Sequence, residues 1–142
     1  MPYTIDWIVD KRVIYLQNRD ELTAEDIENL TQQVKTMYQE GIAPIHAIED
    51  DRELKSIKSF SLDMLKSAFE AVREFEPSKS GTAVVIMPSS LEEVSDFFGK
   101  LAELVTDIDY ERVQSLPEAL DILAKKDATL PDKSQWKLPS SK

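Results

Sequence analysis

Residues 44–69 read PIHAIEDDRELKSIKSFSLDMLKSAF, and this stretch decides the fold class. Its apolar start predicts a short buried strand from Ile45 to Glu49, and its second half has apolar residues at helical spacing. The acidic residues between them are expected to form a loop. In an open α/β sheet, ligands and partners bind beyond the carboxyl ends of the strands. The acidic loop is therefore the predicted interaction site.

Strands and helices alternate along the rest of the chain. Two segments rich in β-forming residues, 3–9 and 12–17, are separated by two residues and predict a hairpin. Thr23 is the expected N-cap of a helix that ends at Gly41. The apolar segment 82–87 predicts a parallel strand that is covered on both faces. The other predicted elements are helices at 61–75, at 90–105 and after Ser115, and a polar edge strand at 108–113.

This order of elements predicts a fold class. Alternating strands and helices favour right-handed crossovers and parallel pairing of the strands. We therefore expect a single α/β domain with four main helices. Its five-stranded sheet is expected to be mainly parallel and to begin with an N-terminal hairpin.

Composition limits the classes of function. Of the 142 residues, 42% are hydrophobic and 31% are charged, as in soluble globular domains. There is no cysteine, which excludes disulfides, thiolate nucleophiles and cysteine-based metal sites. The longest apolar run, 83–87, is too short to span a membrane, and the N-terminus lacks a signal-peptide pattern, so a cytoplasmic protein is expected. The formal net charge of −10 argues against nucleic acid as a partner.

Candidate catalytic and metal-binding residues are few. His46 is the only histidine and lies inside a predicted buried strand, where a structural role is the simpler interpretation. The three glycines form no phosphate-binding motif. Glu49 and Asp51 would share one face of a strand and could bind a hard cation, but a solvated strand end explains the same residues. The sequence therefore predicts no catalytic residue, cofactor or metal, and a protein that is not an enzyme.

The element order and two short motifs resemble the SpoIIAA-like superfamily, which includes the STAS domains. The segment VIYL at 13–16, followed by ELTAED at 21–26, is similar to the second strand and first helix of that family. The segment SLPEAL at 115–120 is similar to its final strand-to-helix turn. The resemblance covers residues 3–125, so it implies one SpoIIAA-like domain at 1–126 with a regulatory or protein-interaction function.

The resemblance fails at the phosphorylation motif. Anti-sigma-factor antagonists of this family carry Asp-Ser-Ser/Thr-Gly after the third strand, and a kinase phosphorylates the serine. The matching residues here are DDRE at 50–53, so Asp51 stands at the serine position and the glycine is missing. Ser59 and Ser61 are interpreted as helix caps. We therefore expect a regulatory module without the serine phospho-switch.

Two binding functions stay open. The first is a protein-interaction surface that begins at the acidic loop and continues into the following helix. Its predicted residues are Asp50, Asp51, Arg52, Ser59, Phe60, Ser61, Leu62 and Leu65. The alternative is a carrier or sensor of a small apolar ligand such as a lipid, held between helices 61–75 and 90–105. A homodimer is compatible with both.

The last residues, 127–142, are predicted to form a basic C-terminal tail. Residues 125–142 contain five Lys and two Asp, whereas the preceding residues are strongly acidic. Trp136 and Leu138 are candidate apolar anchors, because Trp is common in interfaces. We expect the tail to dock on an acidic surface, such as the helix at 23–40 or a second copy of the chain.

Overall fold

The computed structural model describes residues 2–57, 80–87 and 109–138. Five strands form one sheet in the order β1-β2-β3-β4-β5. Their bounds are β1 Tyr3–Val9, β2 Val13–Leu22, β3 Ile45–Ile57, β4 Ser80–Ile86 and β5 Asp109–Val113. The β1–β2 pair is antiparallel and the other three pairs are parallel, so the sheet is mixed. The predicted hairpin, the interior position of β4 and the edge position of β5 are confirmed.

Two α-helices lie within the described ranges, α1 at Ala24–Glu40 and α2 at Leu116–Lys126. Thr23 caps α1 through a capping box, in which its hydroxyl accepts from the Asp26 amide at 3.2 Å and its own amide donates to the Asp26 carboxylate at 2.9 Å. Ser115 accepts from the Glu118 amide at the start of α2. The described ranges thus contain two helices, whereas the sequence predicts four for the whole chain. The predicted helices 61–75 and 90–105 lie outside the described residues.

The two helices pack against opposite faces of the sheet. Tyr15 belongs to the hydrophobic cluster that contains Leu123 of α2, whereas Leu16 belongs to the cluster that contains Leu30 of α1. Neighbouring strand residues point to opposite faces, so this division follows from strand geometry. The two faces of the sheet are called the α2 face and the α1 face below.

The prediction that β3 ends at Glu49 and continues as a solvated acidic loop is wrong. β3 runs on to Ile57, because β2 is also longer than expected and pairs with it as far as Leu22. This pairing provides hydrogen-bond partners for backbone groups of the acidic segment that face β2, and Leu54 packs on the α1 face. Asp50 and Asp51 are both fully buried, so the interpretation as a solvated strand end is also wrong.

The described part of the C-terminal segment, 127–138, packs on the domain. Trp136 is buried in the cluster of the α2 face, and its indole Nε1 donates to the Pro131 carbonyl at 2.9 Å. The Lys137 amide donates to the carbonyl of Ile8 in edge strand β1 at 2.8 Å. Trp136 therefore contacts the α2-face core and not the helix at 23–40 that the sequence suggested as the docking surface. Leu138 is 41% exposed.

Candidate functional site

A β-bulge in β3 creates the candidate site. Gln17 of β2 pairs with Asp50 and Arg19 pairs with Glu53, so β3 contains one residue more than β2 over this interval. Such bulges re-aim side chains and are common next to functional sites. Here Asp50 points to the α2 face, and Asp51 points to the α1 face. The bulge therefore has two polar sides with different neighbours.

On the α2 face, Asp50 joins Tyr15 to Arg52. The Tyr15 hydroxyl donates to Oδ2 of Asp50 in a short hydrogen bond. Arg52 donates from Nε to Oδ1 at 2.9 Å and from Nη2 to Oδ2 at 2.7 Å, which is a bidentate ion pair. Burial raises the pKa of Asp50, but the hydrogen bonds from Arg52 and Tyr15 outweigh it and hold that pKa below its usual value. Asp50 is therefore ionised and fixes the half-exposed Arg52 guanidinium in one orientation.

On the α1 face, Asp51 lies with Asn18 and Glu49. The Asn18 amide nitrogen donates to Oδ1 of Asp51 at 2.7 Å. Burial raises the pKa of Asp51 well above its usual value, and the Glu49 carboxylate raises it further. Burial also raises the pKa of Glu49. Two neighbouring carboxyl groups in such a site oppose each other's ionisation.

Tyr15 and Asn18 are site residues that the sequence analysis did not identify. Both lie in β2, more than thirty residues before their acidic partners, so no local motif joins them. Recognising that β2 extends beyond residue 17 would have placed Asn18 in the strand, on the face opposite to Tyr15.

A second polar cluster, distant in sequence from the bulge, surrounds His46. Its Nδ1 accepts from the Thr82 backbone amide at 2.9 Å, and its Nε2 lies 2.8 Å from Oδ2 of Asp127. A backbone N–H can only donate, so Nδ1 is the acceptor and the ring proton is on Nε2, facing Asp127. Both ring nitrogens are thus engaged within the protein. These contacts support the structural interpretation of His46, which stays a prediction.

Asp127 connects this cluster to the hairpin and the C-terminal segment. Arg12 donates from Nη2 to Oδ2 of Asp127 at 2.6 Å, and the Thr129 amide donates to Oδ1 at 2.9 Å. Burial raises the pKa of Asp127, but the hydrogen bonds from His46 and Thr129 and the charge of Arg12 lower it to about 2. Gly81 lies against the His46 ring, and a Cβ at that position would lie 2.4 Å from Nδ1 of His46.

Other functional features are limited within the described ranges. No three His, Cys, Asp or Glu side chains converge there as ligands of one metal ion. Neither of the described helices has the length and apolar character that crossing a membrane requires. An open groove of about 400 Å³ lies between β1 and α1, and polar and apolar side chains both line it. Its lining residues are Ile5, Asp6, Trp7, Gln32, Gln33, Thr36 and Met37.

The structure describes three of the predicted partner-binding residues. Asp50 and Asp51 are buried, and Arg52 is the one of these three whose side chain reaches the surface. The other predicted residues, Ser59, Phe60, Ser61, Leu62 and Leu65, lie outside the described part of the chain. The same holds for the pocket expected between 61–75 and 90–105.

Solved structures with the same architecture identify the fold. An uncharacterised protein of the DUF3478 family from Shewanella loihica, described as having a SpoIIAA-like fold, superposes with a TM-score of 0.60 at 19% identity. The match covers 85% of this chain and 93% of that one. The chain has a SpoIIAA-like fold.

Anti-sigma factor antagonists share this SpoIIAA-like fold. Unphosphorylated SpoIIAA itself matches with a TM-score of 0.57 at 14% identity, over 86% of this chain and 97% of that chain. A putative anti-sigma factor antagonist from Thermotoga maritima gives 0.53 at 18% identity, over 86% and 94% of the two chains. No protein-family model and no curated protein matches the sequence. The likeness establishes the fold, since all identities are low.

Proposed function

We propose that this SpoIIAA-like chain is a non-enzymatic regulatory module that binds a partner protein at the surface around the β3 bulge. The observation that carries the proposal is the bidentate pairing of Arg52 with buried Asp50. It presents one oriented guanidinium at the position where the family resemblance places the regulatory motif. Anti-sigma factor antagonists are among the proteins of the same fold, which supports a regulatory function.

The absence of the serine phospho-switch is part of the same proposal. Asp51 stands at the serine position, carries no hydroxyl and is fully buried, so a kinase has no acceptor there. Recognition by this surface therefore depends on a permanent feature, the Arg52 guanidinium, and on the segment from Ser59 to Leu65. The alternative function, a carrier or sensor of a small apolar ligand, depends on a pocket outside the described residues.

The proposal is tested by replacing Arg52 with Gln, which removes the charge but keeps a donor for Asp50. A partner captured from native cells with the tagged wild-type protein is purified and titrated by calorimetry against each variant. The matched control is Lys125→Gln, which removes one charge from the exposed surface of α2. We expect Arg52→Gln to weaken binding about tenfold, or about 1.4 kcal/mol, and Lys125→Gln to bind like wild type.

Equal affinity of the two variants would contradict the proposed surface. Circular dichroism melts of both variants are needed beside the titration. Arg52→Gln removes the charge partner of buried Asp50 and could therefore destabilise the fold. The melts show whether weaker binding reflects the loss of a contact with the partner or the loss of folded protein.

A further inference from the structure

Two buried oxygen atoms on the α1 face of the bulge have no hydrogen-bond donor. They are Oδ1 of Asn18 and Oδ2 of Asp51. Asn18 is 3% exposed and Asp51 is fully buried. The Asn18 amide is held against Asp51 through its nitrogen, so its oxygen belongs to the same cluster. Buried polar atoms without partners are rare in native proteins, and two in one cluster require a physical explanation.

A shared proton explains only part of this arrangement. A proton on Asp51 lets that carboxyl donate to Glu49, which satisfies one of the two orphan atoms. The amide oxygen of Asn18 still has no donor. A positive charge in contact with all three side chains would satisfy both atoms and compensate the acidic pair.

We propose that Asn18, Glu49 and Asp51 form a binding site for a hard divalent cation of the Ca²⁺ type. Carboxylate and amide oxygens are the protein ligands that such cations take, and Ca²⁺ tolerates irregular geometry. Two carboxylates balance a charge of +2, whereas a monovalent ion would leave one buried negative charge uncompensated. The cluster contains no sulfur or imidazole ligand, which disfavours zinc. The net charge of −10 attracts cations to the protein.

The ion would be held by the carboxylate oxygens of Glu49 and Asp51 and by the amide oxygen of Asn18. One binding site per chain is therefore expected. The site lies on the α1 face of the bulge, whereas Arg52 pairs with Asp50 on the α2 face.

Calorimetry and thermal melts with CaCl2 test the site. We expect one binding site per chain and a melting temperature that rises by several degrees in millimolar CaCl2. Asp51→Asn should abolish the calcium-dependent rise in melting temperature. The matched control is Glu53→Gln, an exposed β3 carboxylate, which should keep the full calcium response.

Three results would overturn the site. They are no calorimetric binding of CaCl2 or MgCl2 to the wild-type protein, an equal rise in NaCl of the same ionic strength, and an equal calcium response in Asp51→Asn. A response to MgCl2 instead of CaCl2 supports a divalent site of the smaller ion. If Asp51→Asn does not fold, the site is tested on the wild-type protein by NMR. Calcium must then shift the ¹³C carboxyl resonances of Glu49 and Asp51, and unchanged resonances overturn the site.

Discussion

Replacing Val85 with Asp is expected to leave the protein unfolded at room temperature. Val85 is 4% exposed and lies in β4, which is paired with β3 on one side and β5 on the other. It pairs in register with Glu49, so the new carboxylate would join a face that already contains an acidic pair. An unpaired buried charge costs several kcal/mol, against a total stability of about 5–15 kcal/mol for a typical domain. We expect the circular dichroism spectrum of an unfolded chain and no cooperative melting transition.

The matched control for this variant is Thr4→Asp. It introduces the same carboxylate at an exposed position of edge strand β1. Surface substitutions usually change the free energy of unfolding by about 0.5 kcal/mol or less, so the control should melt like wild type. If Val85→Asp also melts cooperatively at the wild-type temperature, β4 is not the buried interior strand described above.

Replacing Asp127 with Asn is expected to have the second-largest effect. Asp127 accepts hydrogen bonds from His46, Arg12 and Thr129, and an amide cannot accept all of them with the same strength. Loss of charge-assisted hydrogen bonds to a largely buried carboxylate should lower the free energy of unfolding by about 2–3 kcal/mol. Urea denaturation at neutral pH measures this loss. The exposed Asp121, which pairs with Lys133, is the matched control, and Asp121→Asn should change stability little.

The effect of Asp127→Asn should depend on pH in a defined direction. The pKa of Asp127 is about 2 in the folded protein, below the value of about 3.9 that an unfolded aspartate has. Its contribution to stability is therefore complete above about pH 4 and is lost as the pH falls towards 2. The stability difference between wild type and variant should shrink over that window. A difference that stays constant from neutral to acid pH would contradict the ionised, hydrogen-bonded state of Asp127.

The elements with strong local signals could be predicted from the sequence. Thr23 and Gly41 bound α1 as expected, because capping and chain termination are local effects. Gly41 nevertheless does not adopt a left-handed conformation. A Cβ at this position would lie 2.5 Å from Cδ1 of Ile45, so the buried Ile45 side chain would have to shift. The segment 82–87 was recognisable as a buried strand from its continuous apolar character.

The candidate site could not be predicted, because it depends on contacts between distant parts of the chain. The residues EDDR at 49–52 have the composition of a loop, and pairing with β2 and, as far as Asp50, with β4 makes them a strand. Which of the two aspartates is ionised depends on the opposite faces they occupy, with Tyr15 beside one and Asn18 beside the other. Trp136 likewise has the sequence surroundings of a tail residue. Its burial depends on a cluster formed by α2 and strands of the sheet, including β1.

The course of β3 through the acidic segment is tested most directly by NMR titration of the ¹³C carboxyl groups of Asp50 and Asp51 in the presence of a chelator. These adjacent residues should titrate in opposite directions from the usual aspartate value of about 3.9. The pKa of Asp50 should lie below it, since the hydrogen bonds from Arg52 and Tyr15 outweigh burial. The pKa of Asp51 should lie well above it, because of burial and the neighbouring Glu49. If both carboxyls titrate together near the usual value, the segment is a solvated loop and the continuous β3 strand is wrong.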